Sequence, residues 1–344
     1  MTEQATDERR RSKGRIKAAW VLVVLAPVCA ELTFTAVALP ETWIALPLLI
    51  PMYGAGVLLI REAVVRTGGG WPSLAVLGLA YELAEDGLGL QALTSPDMYD
   101  ATDWNLRVLG FNATYWESQI GIHVVFSVLI PVLLMDLLFP GHRGRPYLRT
   151  GGLVTTAAVA ALGVAGLRYG IAATQDPGYQ APLPALIGFT AAIAVLAVVA
   201  LKVLPGRAGR PAPLRSSPVT VGAFAAAATL AYLGLLMPAG LRPGGPVFGD
   251  AVPLALPMTG SFAVAALVIW LLRRWTADPG WGDAHRLWLV GGAMVAHTAF
   301  MVPGHGAPGL ATAAVTIAVE VLALLWLGRV LRRRERAGRS AAAH

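Results

Sequence analysis

Mostly apolar stretches of 18 or more residues recur from one end to the other of this 344-residue chain. Each is long enough to cross the ~30 Å hydrocarbon core of a bilayer as an α-helix. In lipid every backbone N–H and C=O must be satisfied internally, which leaves helices and closed barrels as the only spanning structures. Runs of this length are helices. Ten are placed, at about 18–39, 43–61, 71–92, 119–139, 151–172, 183–204, 218–238, 254–272, 287–302 and 309–329. Pro51, Pro131 and Pro257 fall inside spans, which neighbouring helices accommodate in a membrane. Only 14% of the residues are charged, against about 25% in soluble chains. The expected fold is all-α, a polytopic integral membrane bundle of about ten transmembrane helices.

The first apolar run follows RRRSKGRIK and continues to Leu39. That exceeds the ~7–15 apolar residues of a signal peptide, so it is read as a helix. With the N-terminus cytoplasmic, 24 of the 27 Lys and Arg residues fall on the inner side. Only Arg107, Arg168 and Arg242 are left outside, and this asymmetry sets the orientation. Both termini are expected in the cytoplasm, with basic tails at 1–17 and 331–344 flanking a transmembrane domain at 18–330. The expected location is a bacterial-type plasma membrane. The net charge of +7 then follows from topology and from anionic membrane lipids, not from a nucleic-acid partner. The single cysteine, Cys29, excludes an intrachain disulfide and a thiolate metal cluster; it reads as a helix-packing residue. The glycine run of TGGGWPS (67–73) lacks the spacing of a phosphate loop.

The stretch LAYELAEDGLGLQ (79–91) sets Glu82, Glu85 and Asp86 in the outer half of span three. At i, i+3 and i+4 they share one helix face. Close carboxylates in a low dielectric cannot all ionise, so at least one is expected to retain a proton. An ionisable residue within a membrane span is a functional candidate by default. Glu31 stands at similar depth in span one, His123 begins span four, and His297 lies in the outer half of span nine. Tyr81 adjoins the acids, with Gly78 and Gly89 on their side of the helix. The long outer loop (95–118) adds Asp97, Asp100, Asp103 and the aromatic Tyr99, Trp104, Phe111, Tyr115 and Trp116. A polar, aromatic-walled cavity near the outer face unites these features. The competing reading is an interhelical polar network in which Arg168, Arg242 or the histidines neutralise the acids. The loop aromatics would then be an interfacial belt. Glu62 beside Arg61 reads as a local ion pair, and Asp136 and Glu320 stay unassigned.

Embedded acids and aromatic faces in a small multi-pass chain are also the layout of the noncanonical bacterial integral-membrane terpene cyclases of meroterpenoid and indole-sesquiterpenoid pathways, which this chain resembles. The resemblance implies metal-independent, acid-initiated cyclisation of a prenyl chain without a cofactor. Its substrate would be a lipophilic prenylated molecule entering from the bilayer. Glu82, Glu85, Asp86 and Glu31 would be the catalytic acids and base. Tyr81, Trp104, Tyr115, Trp116, His123 and His297 would bind substrate, the aromatic faces stabilising a passing carbocation.

YELAEDGL also resembles the first motif of the CAAX-protease and bacteriocin-processing membrane family, a Glu-Glu pair followed by Arg. Glu85-Asp86 would stand for the pair, and His123 and His297 for its later histidines. Asp replaces the second Glu, no Arg follows, and HTAFM (297–301) ends in Met. PDMYDATDWN is similar to the magnesium-diphosphate motif of membrane-embedded prenyltransferases. The second Asp-rich cluster that such enzymes need is missing, since only Asp250, Asp278 and Asp283 are scattered through the second half. The spacing of His123, His297 and His305 does not call for a metal. A proton-coupled carrier is the non-enzyme alternative, because buried acids also relay protons.

Overall fold

The computed structural model describes residues 3–100, 105–206, 211–241, 253–303 and 306–342. Helix occupies all ten expected spans. In chain order they are α1 (Glu3–Pro27), α2 (Pro40–Arg66), α3 (Trp71–Glu82), α4 (Ala113–Leu138) and α5 (Thr150–Gln175), followed by α6 (Leu183–Val203), α7 (Pro218–Leu236), α8 (Ala255–Trp275), α9 (Asp283–Phe300) and α10 (Gly306–Ala342). Among the described residues seven of these are both long and apolar enough to cross a membrane. The others are α1, α3 and α9. Charged residues in α1 and α3, and the polar start of α9, dilute their hydropathy without interrupting the helix. Residues expected as tails are helical as well, since α1 begins at Glu3 and α10 continues to Ala342.

The chain divides into two compact units, Met1–Leu32 with Glu41–Ala208, and Thr33–Pro40 with Gly209–His344. In the first unit the innermost helices are α1 to α4. Half of the apolar stretch of α2 and 61% of that of α4 are buried, against 11% for α5 and for α6. Glycines permit the close packing. A Cβ at Gly78 of α3 would stand 3.1 Å from Val124 Cα of α4, and one at Gly163 of α5 would stand 2.7 Å from the Met52 nitrogen. Small residues let helix backbones approach in lipid, where dispersion contacts replace the hydrophobic drive. Gly89, expected to leave room for a helix or a ligand, receives α5, with Val164 O 3.2 Å from its would-be Cβ.

The second unit uses the same device. Gly222 of α7 and Gly292 of α9 meet backbone to backbone, α8 packs on α7 through Gly260 and Leu235, and α10 packs on α9 through Leu324 and Gly291. The segment from the first helix that belongs here contains a short helix, Thr35–Ala38, which packs against α10. Trp20, Ile44, Leu162, Leu183, Phe262 and Trp326 are exposed, as lipid-facing side chains would be.

The outer loop before α4 is folded. β1 (Arg107–Val108) and β2 (Phe111–Asn112) form a hairpin. Its two turn residues, Leu109 and Gly110, both have positive φ, as a type I′ turn requires. Asn112 donates to the carbonyls of Ala92 and Ser95 at 2.6 and 2.8 Å. Arg107 caps the carbonyls of Ser95, Thr94 and Gly110. This anchor starts α4 at Ala113, six residues before its expected start. Tyr115 and Trp116, expected in the loop, therefore sit on the first turns of α4. The polar entry ATYWESQ hides that helical start from a hydropathy reading.

Candidate functional site

Directly after α1 and α3, and within α2 and α4, the chain widens into a π-type turn where the polar residues lie: Val28–Leu32 with Glu31, Leu83–Gly89 with Glu85 and Asp86, Ile50–Ala55 with Tyr53, and Gly121–Leu129 with His123 and Ser127. A π turn inserts an extra residue into the i→i−4 ladder and re-aims the side chains beside it, and such turns concentrate at functional sites. Four of them here bring ionisable and aromatic groups together inside the first unit.

His123 is the hub. Its Nδ1 lies 3.3 Å from Glu85 Oε2 and its Nε2 lies 3.4 Å from Asp86 Oδ2. Ser127 Oγ lies 3.3 Å from Nδ1. The imidazole is 3% exposed, Glu85 2% and Asp86 1%, so water does not screen the trio. A neutral imidazole has one N–H and can serve only one carboxylate, whereas the imidazolium serves both. The two contacts are ion-pair distances, since neither facing carboxylate oxygen has a hydrogen-bond partner, and they suit an imidazolium, so that the trio shares one proton beyond a neutral ring and two carboxylates.

The network extends on both sides. Tyr115 donates its hydroxyl to Asp86 Oδ1 at 3.1 Å, and Trp116 donates Nε1–H to Glu82 Oε2 at 2.9 Å. Glu82 is fully buried, and its other oxygen has no hydrogen-bond partner. On the opposite side Tyr53 donates to Glu31 at 2.6 Å. The rings of Tyr53 and Tyr81 lie 6.1 and 5.9 Å from the imidazole centroid and 6.0 Å from each other. Tyr99 stacks on Tyr115 at 6.1 Å.

Of the residues singled out from sequence, Glu31, Tyr81, Glu82, Glu85, Asp86, Tyr115, Trp116 and His123 thus belong to one cluster in the first unit. His297 belongs to the second unit, where it stacks on Phe34 with ring centroids 4.0 Å apart. Trp104, Asp103, Arg242, Asp250 and His305 lie outside the described residues, as does the Asp100 side chain. Among the described residues Arg168 forms no ion pair with the acids; its guanidinium donates to the Tyr179 carbonyl. Among the described residues no group of three His, Cys, Asp or Glu side chains is arranged to hold a metal ion.

Two cluster members escape a sequence reading, Tyr53 and Ser127. The available signal for Tyr53 was IPMYGAG, a polar aromatic between Pro51 and Gly54 inside an apolar run. Ser127, four residues after His123, carried no distinguishing signal.

Residues 20–341 match the profile of an uncharacterized membrane protein family. The chain belongs to that family. With its helices it is a multi-pass integral membrane protein. The match does not support the resemblance to terpene cyclases or to CAAX proteases. No curated protein and no solved structure matches the chain.

The Arg61–Glu62 pair belongs to a separate structural latch at the other end of α2. Glu62, fully buried, accepts from Arg61 at 3.1 Å, Arg66 at 3.3 Å, and the backbone nitrogens of Tyr147 and Leu148 at 2.6 and 3.2 Å. Arg61 also donates to the carbonyls of His142 and Arg145 and lies 3.3 Å above the Tyr147 ring. Burial pushes the Tyr147 hydroxyl up to about 12, against the opposing pull of Arg61, so it stays protonated. Asp136, unassigned from sequence, pairs with Arg143 at 3.6 Å.

Proposed function

We propose that this protein is a membrane-embedded, acid-initiated cyclase of a prenyl chain on a lipophilic substrate that enters from the bilayer. The observation that carries the reading is His123 held between Glu85 and Asp86 beneath the rings of Tyr53 and Tyr81. As substrate approaches, the proton that the imidazolium shares with its two carboxylates passes to Glu85 or Asp86 and leaves a neutral imidazole behind. Glu85 or Asp86 protonates an alkene or epoxide, and the π electrons of a second double bond close the ring. The carbocation passes over tyrosine faces, whose quadrupoles attract it. Glu31 or Glu82 takes the final proton, so an alkene substrate yields an isomer of itself.

The test incubates membranes containing the full chain with prenylated aromatic compounds and their epoxides, with and without EDTA, and analyses extracts by mass spectrometry. The reading expects a cyclised isomer that persists in EDTA and disappears in Glu85→Gln and His123→Gln. No isomer from a broad panel, or one made equally well by both variants, overturns it. A second reading, a proton-coupled carrier, is favoured by the helix break at Thr33–Phe34, since carriers place sites at discontinuous helices. Proton flux that depends on Glu85, with no new product, selects it.

A further inference from the structure

Glu320, in the middle of α10, is one of the few ionisable residues in the apolar part of the second unit, and the cluster around His123 does not use it. Its side chain is 9% exposed. One oxygen contacts Thr298 Oγ1 of α9 at 2.8 Å, and the other has no hydrogen-bond partner. Among the described residues no cation pairs with it. Thr298, fully buried, also lies 2.7 Å from the carbonyl oxygen of Thr33. Thr33 and Phe34 are where the first helix breaks. The π turn ends at Leu32, Phe34 leaves the helical region with φ −131° and ψ −89°, and helix resumes at Thr35.

A threonine hydroxyl has one proton to donate and can accept others. If Glu320 were ionised, that proton would have to serve both the carboxylate and the Thr33 carbonyl, and one close O···O contact would join two acceptors. If Glu320 carries a proton, it donates to Thr298 and Thr298 donates to Thr33, so both short contacts are proper hydrogen bonds. Oxygen–oxygen separations of 2.7 and 2.8 Å are the ordinary length of an O–H···O bond, and a metal cation between such oxygens would hold them further apart. The chemistry fits a proton.

We infer that Glu320 is a proton-binding site of the second unit, whose occupancy ties α9 and α10 to the Thr33–Pro40 segment of that unit through Thr298 and the Thr33 carbonyl. Losing the proton turns Glu320 into a pure acceptor, and Thr298 then releases either Thr33 or Glu320. The only titratable side chain that α9 carries beside Thr298 is His297, which stacks on Phe34; the Thr35–Ala38 helix brings none. The site is independent of the cyclisation reading, since no residue of that cluster takes part.

The test uses the full chain in lipid nanodiscs. Infrared difference spectra recorded over a pH titration are compared for the wild type, Glu320→Gln and Thr298→Val. Backbone hydrogen exchange is followed over residues 33–38 in the same samples. The expected result is a protonated-carboxyl band near neutral pH that is absent in Glu320→Gln and shifted in Thr298→Val. Exchange at 33–38 should rise as the band titrates away in the wild type and stay pH-independent in Glu320→Gln. A wild-type spectrum without a band lost in Glu320→Gln overturns the proposal, as does exchange with the same pH dependence in both. Should Glu320→Gln fail to fold, an unshifted band in Thr298→Val overturns it alone.

Discussion

Replacing Glu62 by alanine removes four hydrogen bonds at once and leaves Arg61, 1% exposed, without its counter-charge. Removing one partner of a buried ion pair costs about 3–5 kcal/mol. Here the guanidinium keeps the carbonyls of His142 and Arg145 and its place over Tyr147, which points to the lower end. The Tyr147 backbone nitrogen is buried and loses a 2.6 Å acceptor, which adds about 1–3 kcal/mol unless water enters. A total near 4 kcal/mol is roughly a 700-fold change in the unfolding equilibrium, at about 1.4 kcal/mol per tenfold. Reversible unfolding in mixed micelles measures it, with Arg61→Met/Glu62→Met as comparison. The double variant removes both charges and should be less damaging than Glu62→Ala. A loss below about 1 kcal/mol, the worth of an exposed ion pair, would refute the idea that this latch clamps the loop to α2.

Two further outcomes follow. In Gly56→Ala the new methyl would stand 2.7 Å from Tyr81 Cε2. The buried ring must then shift beside His123, which should cost about 1–3 kcal/mol by overpacking and lower product formation while the protein stays folded; unchanged stability and product yield would contradict the packing described. His142 is held below the ordinary histidine range by burial first and then by the charges of Arg145, Arg15 and Arg61. Because its folded value lies under its unfolded one, the unfolded chain binds more protons as pH drops through about 6.5. Stability is therefore present above that pH and falls on acidification. Thermal midpoints recorded in detergent from neutral pH to about 5.5 should fall less steeply for His142→Asn than for the wild type.

The helices were legible because a run such as 183–204 has no other stable form in lipid. The burial of Glu82, Glu85 and Asp86 toward a partner was legible too, since their spacing names a common face; the partner proves to be α4. Three things were hidden. The π turns leave no mark in hydropathy, so IPMYGAG gives no reason to pair Tyr53 with Glu31. The start of α4 was masked because Asn112 and Arg107, not apolar residues, fix it. Depth groups His297 with the acids, and the unit in which it packs follows from helix contacts such as Gly222 with Gly292, which depth does not report.

In the proposed function Glu85, His123 and Asp86 share one proton. Nitrogen NMR of histidine-labelled protein in bilayers, with the His123 signals assigned by their loss in His123→Gln, tests it directly. Both ring nitrogens of His123 should bear hydrogen at neutral pH, and Glu85→Gln and Asp86→Asn should each perturb the nitrogen they face. A ring with one bare nitrogen at neutral pH, indifferent to Asp86→Asn, would contradict the claim.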